Sequence, residues 1–134
     1  MKKILLTITM FLLTGCFGEI GKGIITKECK KNEIINGTTV DTNITIKSKE
    51  GNINSINITE TYDSDDLTSI LNSKKSEKNM YRNEPGISIN INDKIITYEI
   101  DVTSINDFVI NRFNINKETH KMLKYYEDNG FTCK

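Results

Sequence analysis

Three observations predict an α+β fold: an antiparallel sheet built from two β-hairpins, with one short helix between them and a C-terminal helix packed on the sheet. Apolar and polar residues alternate with period two in two paired blocks, within 38–63 and 87–102. Between and after those blocks the apolar spacing becomes helical. Turn-forming residues mark the changes from one pattern to the other.

The first block reads TTVDTNITIKSKEGNINSINITETYD. Val40, Thr42, Ile44 and Ile46 share one parity, Ile56, Ile58 and Tyr62 another, and Glu50-Gly51-Asn52 supplies the turn. TKECKKNEII, just upstream, predicts a shorter additional strand.

SDDLTSILNSKKSEKNMY follows. Ser64 or Asp63 is placed to cap a helix, Asp65 and Asp66 suit its positive end, and Leu67, Ile70 and Leu71 make one apolar face. Past Asn72 that face fades, which predicts one to three turns trailing into a solvated loop with Lys74, Lys75 and Lys78 in water. The acidic trio Asp63, Asp65 and Asp66 lacks the pattern of a calcium loop, because Leu67, Thr68, Ser69 and Lys74 stand at the offsets where such a loop needs oxygen ligands, a central glycine and a closing glutamate. Capping is the better use for it.

Pro85-Gly86 opens the second block, ISININDKIITYEIDV. Ile87, Ile89 and Ile91 alternate, Asn92-Asp93 turns the chain, and Ile96, Tyr98, Ile100 and Val102 alternate again. Tyr98 is expected as a packed aromatic. The irregular run Phe108, Val109, Ile110 and Phe113 predicts a loop or short turn plugging the core edge. Asn116 then caps the last helix, with Met122, Leu123 and Tyr126 on its face and Gly130-Phe131 suited to a left-handed cap and hydrophobic contact.

The N-terminus has a different logic. Lys2 and Lys3 precede ten apolar-rich positions, Ile4 to Leu13, too few to span a bilayer, which takes roughly 20 residues. A charged start, a short apolar run and a small residue form an export signal. Here Leu13-Thr14-Gly15 leads directly into Cys16, which resembles the lipobox of bacterial lipoproteins. That resemblance implies cleavage between Gly15 and Cys16 and a diacylglyceryl group on the Cys16 thiol, with the acyl chains, palmitate-like, in membrane lipid. Two chains anchor stably where one does not. The chain therefore divides into a signal peptide (1–15), the lipidated cysteine with a glycine-rich flexible tether (16–23) and a single α+β domain (24–134). The expected location is the extracytoplasmic face of the cell membrane. In a two-membrane host, Phe17 in place of a retention-type Asp implies the outer membrane.

Loss of residues 1–15 removes two lysines and no acid, so the neutral whole chain becomes a 119-residue form of net charge −2. No block of Lys and Arg suggests nucleic acid. The abundance of Ile (22), Asn (16) and Lys (16), with no Ala, tracks AT-rich codons and carries little functional information. Accordingly, the Asn-x-Thr triplets at Asn36, Asn43 and Asn57 are read as strand and turn residues.

With Cys16 acylated, Cys29 and Cys133 remain as an even pair near the two ends of the domain, and an oxidising location predicts a disulfide between them. Free thiols are the alternative; a metal site lacks partners, since His120 is the one histidine, and no CxxC spacing marks a redox pair. His120 itself is expected on a helix surface.

A lipobox, a hairpin, a helix, a second hairpin leading to Asp107-Phe108 and a final helix closing on Asn129-Gly130-Phe131 together resemble the YehR-type family of small bacterial lipoproteins. The resemblance implies an α+β fold and membrane attachment, and brings no catalytic residues. Direct search agrees: no GxSxG, HExxH, P-loop or dinucleotide pattern is present. Asp65 with Asp66 and Glu127 with Asp128 are adjacent in sequence and so diverge on a helix. The expectation is a non-enzymatic domain, with no cofactor, that binds a protein or small-ligand partner, or alternatively an envelope component acting through assembly contacts.

Overall fold

The computed structural model describes residues 23–134. The signal peptide, Gly15, Cys16 and the tether up to residue 22 lie outside the described residues.

Three twelve-residue strands, β1 (Ile24–Ile35), β2 (Thr38–Lys49) and β3 (Asn52–Asp63), form a continuous meander. Helix α1 (Leu67–Met80) follows, then the hairpin β4 (Ile87–Asn92) and β5 (Ile95–Asp101), helices α2 (Asp107–Phe113) and α3 (Thr119–Asp128), and a two-residue strand β6 (Thr132–Cys133). The sheet is antiparallel in the order β4-β5-β3-β2-β1-β6. The α+β class therefore holds.

The strand ahead of the first hairpin is longer than its sequence suggested, because Asn36 and Gly37, at φ 50° and 80°, make a tight two-residue turn matched to strand twist. Glu50 and Gly51 repeat that conformation between β2 and β3. A bulge at Lys47/Ser48 shifts the β2–β3 register, so Ile53 and Ile56, three apart, both point inward.

All three helices lie on one face. Val109, Ile115, Met122 and Tyr126 share a single core with Ile44, Ile46, Ile56, Ile96 and Ile100, while Asn43, Lys47, Asn57, Glu99 and Asn90 on the opposite parity are exposed. Helix α1 exceeds its predicted length: it runs to Met80 and is capped by Asp66, whose carboxylate accepts from the Ser69 N–H, not by Ser64 or Asp63. Its inner stripe includes charged residues, so the apolar pattern fades while the helix continues.

The run predicted as a loop at Phe108–Phe113 is α2. Asn106 caps it by accepting from Val109 N–H, and left-handed Asn114 closes it. Helix α3 starts at Thr119, later than the Asn116 cap implied, since Asn116 instead accepts from the Glu118 N–H in a turn leading into the helix. At its other end Phe131 N–H donates to Tyr126 O and Gly130 N–H to Glu127 O, with Gly130 at φ 88° and the Phe131 ring 5.3 Å from that of Tyr126. This is the glycine cap with its hydrophobic contact.

Cys29 and Cys133 are bonded to one another and face each other across β1 and β6. Glu28 and Lys134 exchange both backbone hydrogen bonds, so the cysteines occupy the adjacent non-hydrogen-bonded position, where side chains approach most closely.

Candidate functional site

The helices do not cover the inner face evenly. Between α1 and the side of α3 a groove runs along the strands, with Thr42, Ile44 and Ile58 in its floor. One section, about 370 Å³, is walled by Lys74 and Glu77 of α1 and by Arg112, Tyr125, Asn129 and Phe131 opposite. A second, about 410 Å³, continues past Val40, Tyr62 and Ile70 to Asn36 and Ser64 at the turn end. The two share Glu33, Thr42 and Glu60.

Strand register delivers the polar residues. Lys31, Thr42 and Glu60 form one row across β1, β2 and β3, and Glu33, Val40 and Tyr62 form the next. Lys74 hangs over this floor from α1. Its Nζ lies 2.8 Å from Glu60 Oε2 and 3.4 Å from Glu77 Oε2, and donates to Tyr98 Oη at 2.6 Å. Tyr98 Oη donates to Glu77 Oε2 at 3.0 Å, and Tyr62 donates to Glu60 Oε2. The ammonium also sits 5.5 Å from the ring centre of Tyr62, within cation–π range. Across the groove Lys31 pairs with Glu33 at 2.8 Å and lies over Phe131.

These contacts fix the ionisation states. Burial alone depresses the Lys74 ammonium, but the charge and hydrogen bonds of Glu60, with Tyr98 assisting, more than offset it and raise its pKa. Burial and then Glu60 push the Tyr62 phenol up to about 12. Tyr98 is raised by burial and the Glu60 charge, against the opposing pull of Lys74. Near neutrality Lys74 is held as a cation and the two phenols hold their protons. Such a wall offers fixed charges and hydrogen bonds to a bound molecule.

A wider depression of about 580 Å³ lies on the opposite face against Ser55, Asn57, Ser88, Glu99 and Asp101. It has no inward-held charge comparable with Lys74.

Of the residues singled out from sequence, Cys29 and Cys133 meet as expected. Tyr98 is packed, with its hydroxyl committed to Lys74 and Glu77. Lys74 is the correction: its side chain is 17% exposed and turned to the sheet, whereas Lys75 and Lys78 stay in water. His120 is on the exposed side of α3, 3.7 Å from Glu118. Among the described residues no group of His, Cys, Asp and Glu has the arrangement of a metal site.

Sequence reasoning missed Glu60, Glu77, Lys31, Glu33 and Arg112. The signal was present: Glu60 shares parity with Ile56, Ile58 and Tyr62, and Lys74 and Glu77 continue the helical spacing from Leu67, Ile70 and Leu71 to Tyr81.

No family model matches the chain, and no curated protein does. A protein from Streptococcus pneumoniae TIGR4, solved by NMR, is similar in fold: 13% sequence identity, a TM-score of 0.50, and coverage of 100% of this chain and 97% of the other.

Proposed function

We propose that this is a bacterial lipoprotein of the YehR-like kind, anchored through acylated Cys16 outside the cytoplasm, whose domain binds a partner molecule in the groove between α1 and α3 without catalysing a reaction. The binding part rests on one observation. A half-buried ammonium, two carboxylates and two phenols are already paired along the wall of an open groove, so their desolvation and ordering precede any ligand. The anchor part rests on Leu13-Thr14-Gly15-Cys16. No helix among the described residues is long and apolar enough to cross a membrane, and a lipid anchor requires none.

Intact mass of protein purified from its own membrane tests the anchor: loss of residues 1–15 plus a diacylglyceryl mass is expected, and an unmodified mass overturns it. The groove is tested by a photoreactive residue at Tyr125, compared with one at Asn90 on the open sheet face. A defined adduct from the groove position alone is expected. Equal labelling from both positions overturns the assignment.

One observation favours the second reading, assembly. Strand β6 pairs with β1 only at Cys29 and Lys30, leaving the outer edge from Asn32 to Ile35 unpaired among the described residues with Ile34 and Ile35 exposed, a template for strand addition. A discrete oligomer in a size measurement supports that role, and its loss on Ile34→Lys assigns it to this edge.

A further inference from the structure

We propose that the end of the meander where Ile24 enters the sheet is a docking face for anionic lipid headgroups, an inference that rests on the Cys16 anchor proposed above. Register and hydrogen bonds assemble the face. Ile24 lies opposite Lys49 and Thr26 opposite Lys47. The β2–β3 turn seats the start of α3: Thr119 donates to Gly51 O from its N–H at 2.9 Å and from Oγ1 at 3.0 Å, and Ile53 N–H donates to Lys117 O. Lys47 and Lys49 on the open face and Lys117 and Lys121 on the helix side thereby share one end of the sheet, all exposed. Ile24 and Ile25 stand beside them, 67% and 49% exposed.

The acids of this corner are weaker opponents. Glu118 and Lys121 pair at 2.6 Å and cancel each other, so the net positive charge is carried by Lys47, Lys49 and Lys117. Asp101, two strands from Lys47 across Ser55, turns its carboxylate to Thr103 and Ser104. Glu50 is the remaining exposed carboxylate in the turn.

The far end has the opposite sign. Asp63 ends β3, Asp65 and Asp66 follow it, Asp93 is in the β4–β5 turn, and Lys94 is their basic neighbour. Thr38 Oγ1 donates to Ser64 Oγ and Tyr62 N–H to Lys94 O, tying these segments into one pole. Twelve strand residues separate the ends by roughly 35–40 Å, several times the ~8 Å Debye length at physiological salt. A charged bilayer at the basic corner therefore attracts that corner and scarcely reaches the acidic one.

The anchor enters on the correct side. Eight residue steps from Cys16 to Ile24 reach at most about 30 Å, which permits contact without enforcing it. Orientation then falls to the lysines, each favouring the docked state by roughly fivefold at an anionic surface, and to Ile24 and Ile25 at the headgroup boundary. Docked this way, the groove opens past Asn36 and Ser64 on the side away from the membrane.

The chain has no Trp, so an introduced indole reports alone. Ile25→Trp and, separately, Asn92→Trp are placed in the full lipoprotein and reconstituted in vesicles of brominated phosphatidylglycerol or brominated phosphatidylcholine. Quenching at position 25 and not at 92, confined to the anionic vesicles and lost in about 1 M salt, where the Debye length is ~3 Å, is the expected result. Combined Lys47→Glu, Lys49→Glu and Lys117→Glu abolishes it. Equal quenching at both positions, or quenching at 25 that ignores lipid charge and salt, overturns the docking face. Intact mass of the same samples reads the anchor separately: a missing diacylglyceryl group refutes the anchor while the indole comparison still decides the docking face.

Discussion

The inner face of the sheet has two halves built on opposite principles. Toward α2 and α3 it is hydrocarbon: Ile46, Ile56, Val109 and Met122 are each fully buried in one cluster. Beneath α1 it is ionic, and α1 buries no residue completely; Lys74 meets Glu60, Glu77 and Tyr98 there. Non-directional packing closes the first half, whereas the second holds its helix through a few directional contacts and leaves the groove open beside it. On the proposed function, stability and binding fall to different halves of one sheet.

The largest expected effect breaks the hydrocarbon half at its clasp. The Cys29–Cys133 bond spans 104 residues, and in the chain-entropy account a loop of that size contributes about 4–5 kcal/mol. Combined Cys29→Ser and Cys133→Ser should lower stability by that order in urea unfolding, with the groove contacts retained in the folded fraction. Alkylation of both thiols in unreduced native protein would remove the clasp from the account.

A matched pair of substitutions comes next. Met122→Ala opens a cavity at a position with no exposure and should cost about 3 kcal/mol. Lys74→Met leaves Glu60 and Glu77 facing each other without their cation. Because these side chains are about a fifth exposed, the cost should fall below that of a fully buried pair, to about 2 kcal/mol. The Lys74→Met loss should also depend on pH and the Met122→Ala loss should not. Equal pH dependence in both variants would erase the distinction between the halves.

Alkaline unfolding sharpens the same contrast at smaller amplitude. Folding raises the Tyr62 phenol from 10.0 to about 12, so the folded state keeps a proton that the unfolded chain releases first. The associated stability is complete below pH 10 and is lost as pH climbs toward 12. The urea midpoint should fall across that window, and Tyr62→Phe should flatten the fall. A midpoint that stays level in the parent protein removes the coupling.

How far the sequence foretells this division follows from the same chemistry. Periodicity exposed β2, β3, β4, β5 and the body of α3, because their inward positions are apolar. Asn36-Gly37 also announced a hairpin, but in a chain so rich in Asn it passed as part of an Asn-x-Thr triplet, and β1 lost its length. In α1 the inward stripe passes through Lys74 and Glu77, so a polarity criterion ends the helix at the very residues that make the site. Glu60 broke the strand pattern for the same reason. Strand β6 has two residues and no pattern to find; the cysteine count alone pointed to it. The groove itself needs Lys74 of α1 above Glu60 of β3, a meeting set by tertiary packing.

The smallest effect separates the halves by sign. Tyr81 is 1% exposed between Phe108 and Phe113, each ring 5.7 Å away, and its hydroxyl has no hydrogen-bond partner among the described residues. A buried unpaired hydroxyl is a standing penalty, so Tyr81→Phe should leave stability unchanged or raise it by up to about 1 kcal/mol. Tyr98→Phe deletes the same atom in the ionic half, where it accepts from Lys74 and donates to Glu77. That variant should lose about 1–2 kcal/mol, since a cation and a carboxylate each forfeit a partner. Thermal unfolding of the two side by side isolates what the surroundings do to one hydroxyl. Losses of equal size would mean that Tyr81 is hydrogen-bonded too, and that polar contacts extend into the hydrocarbon half.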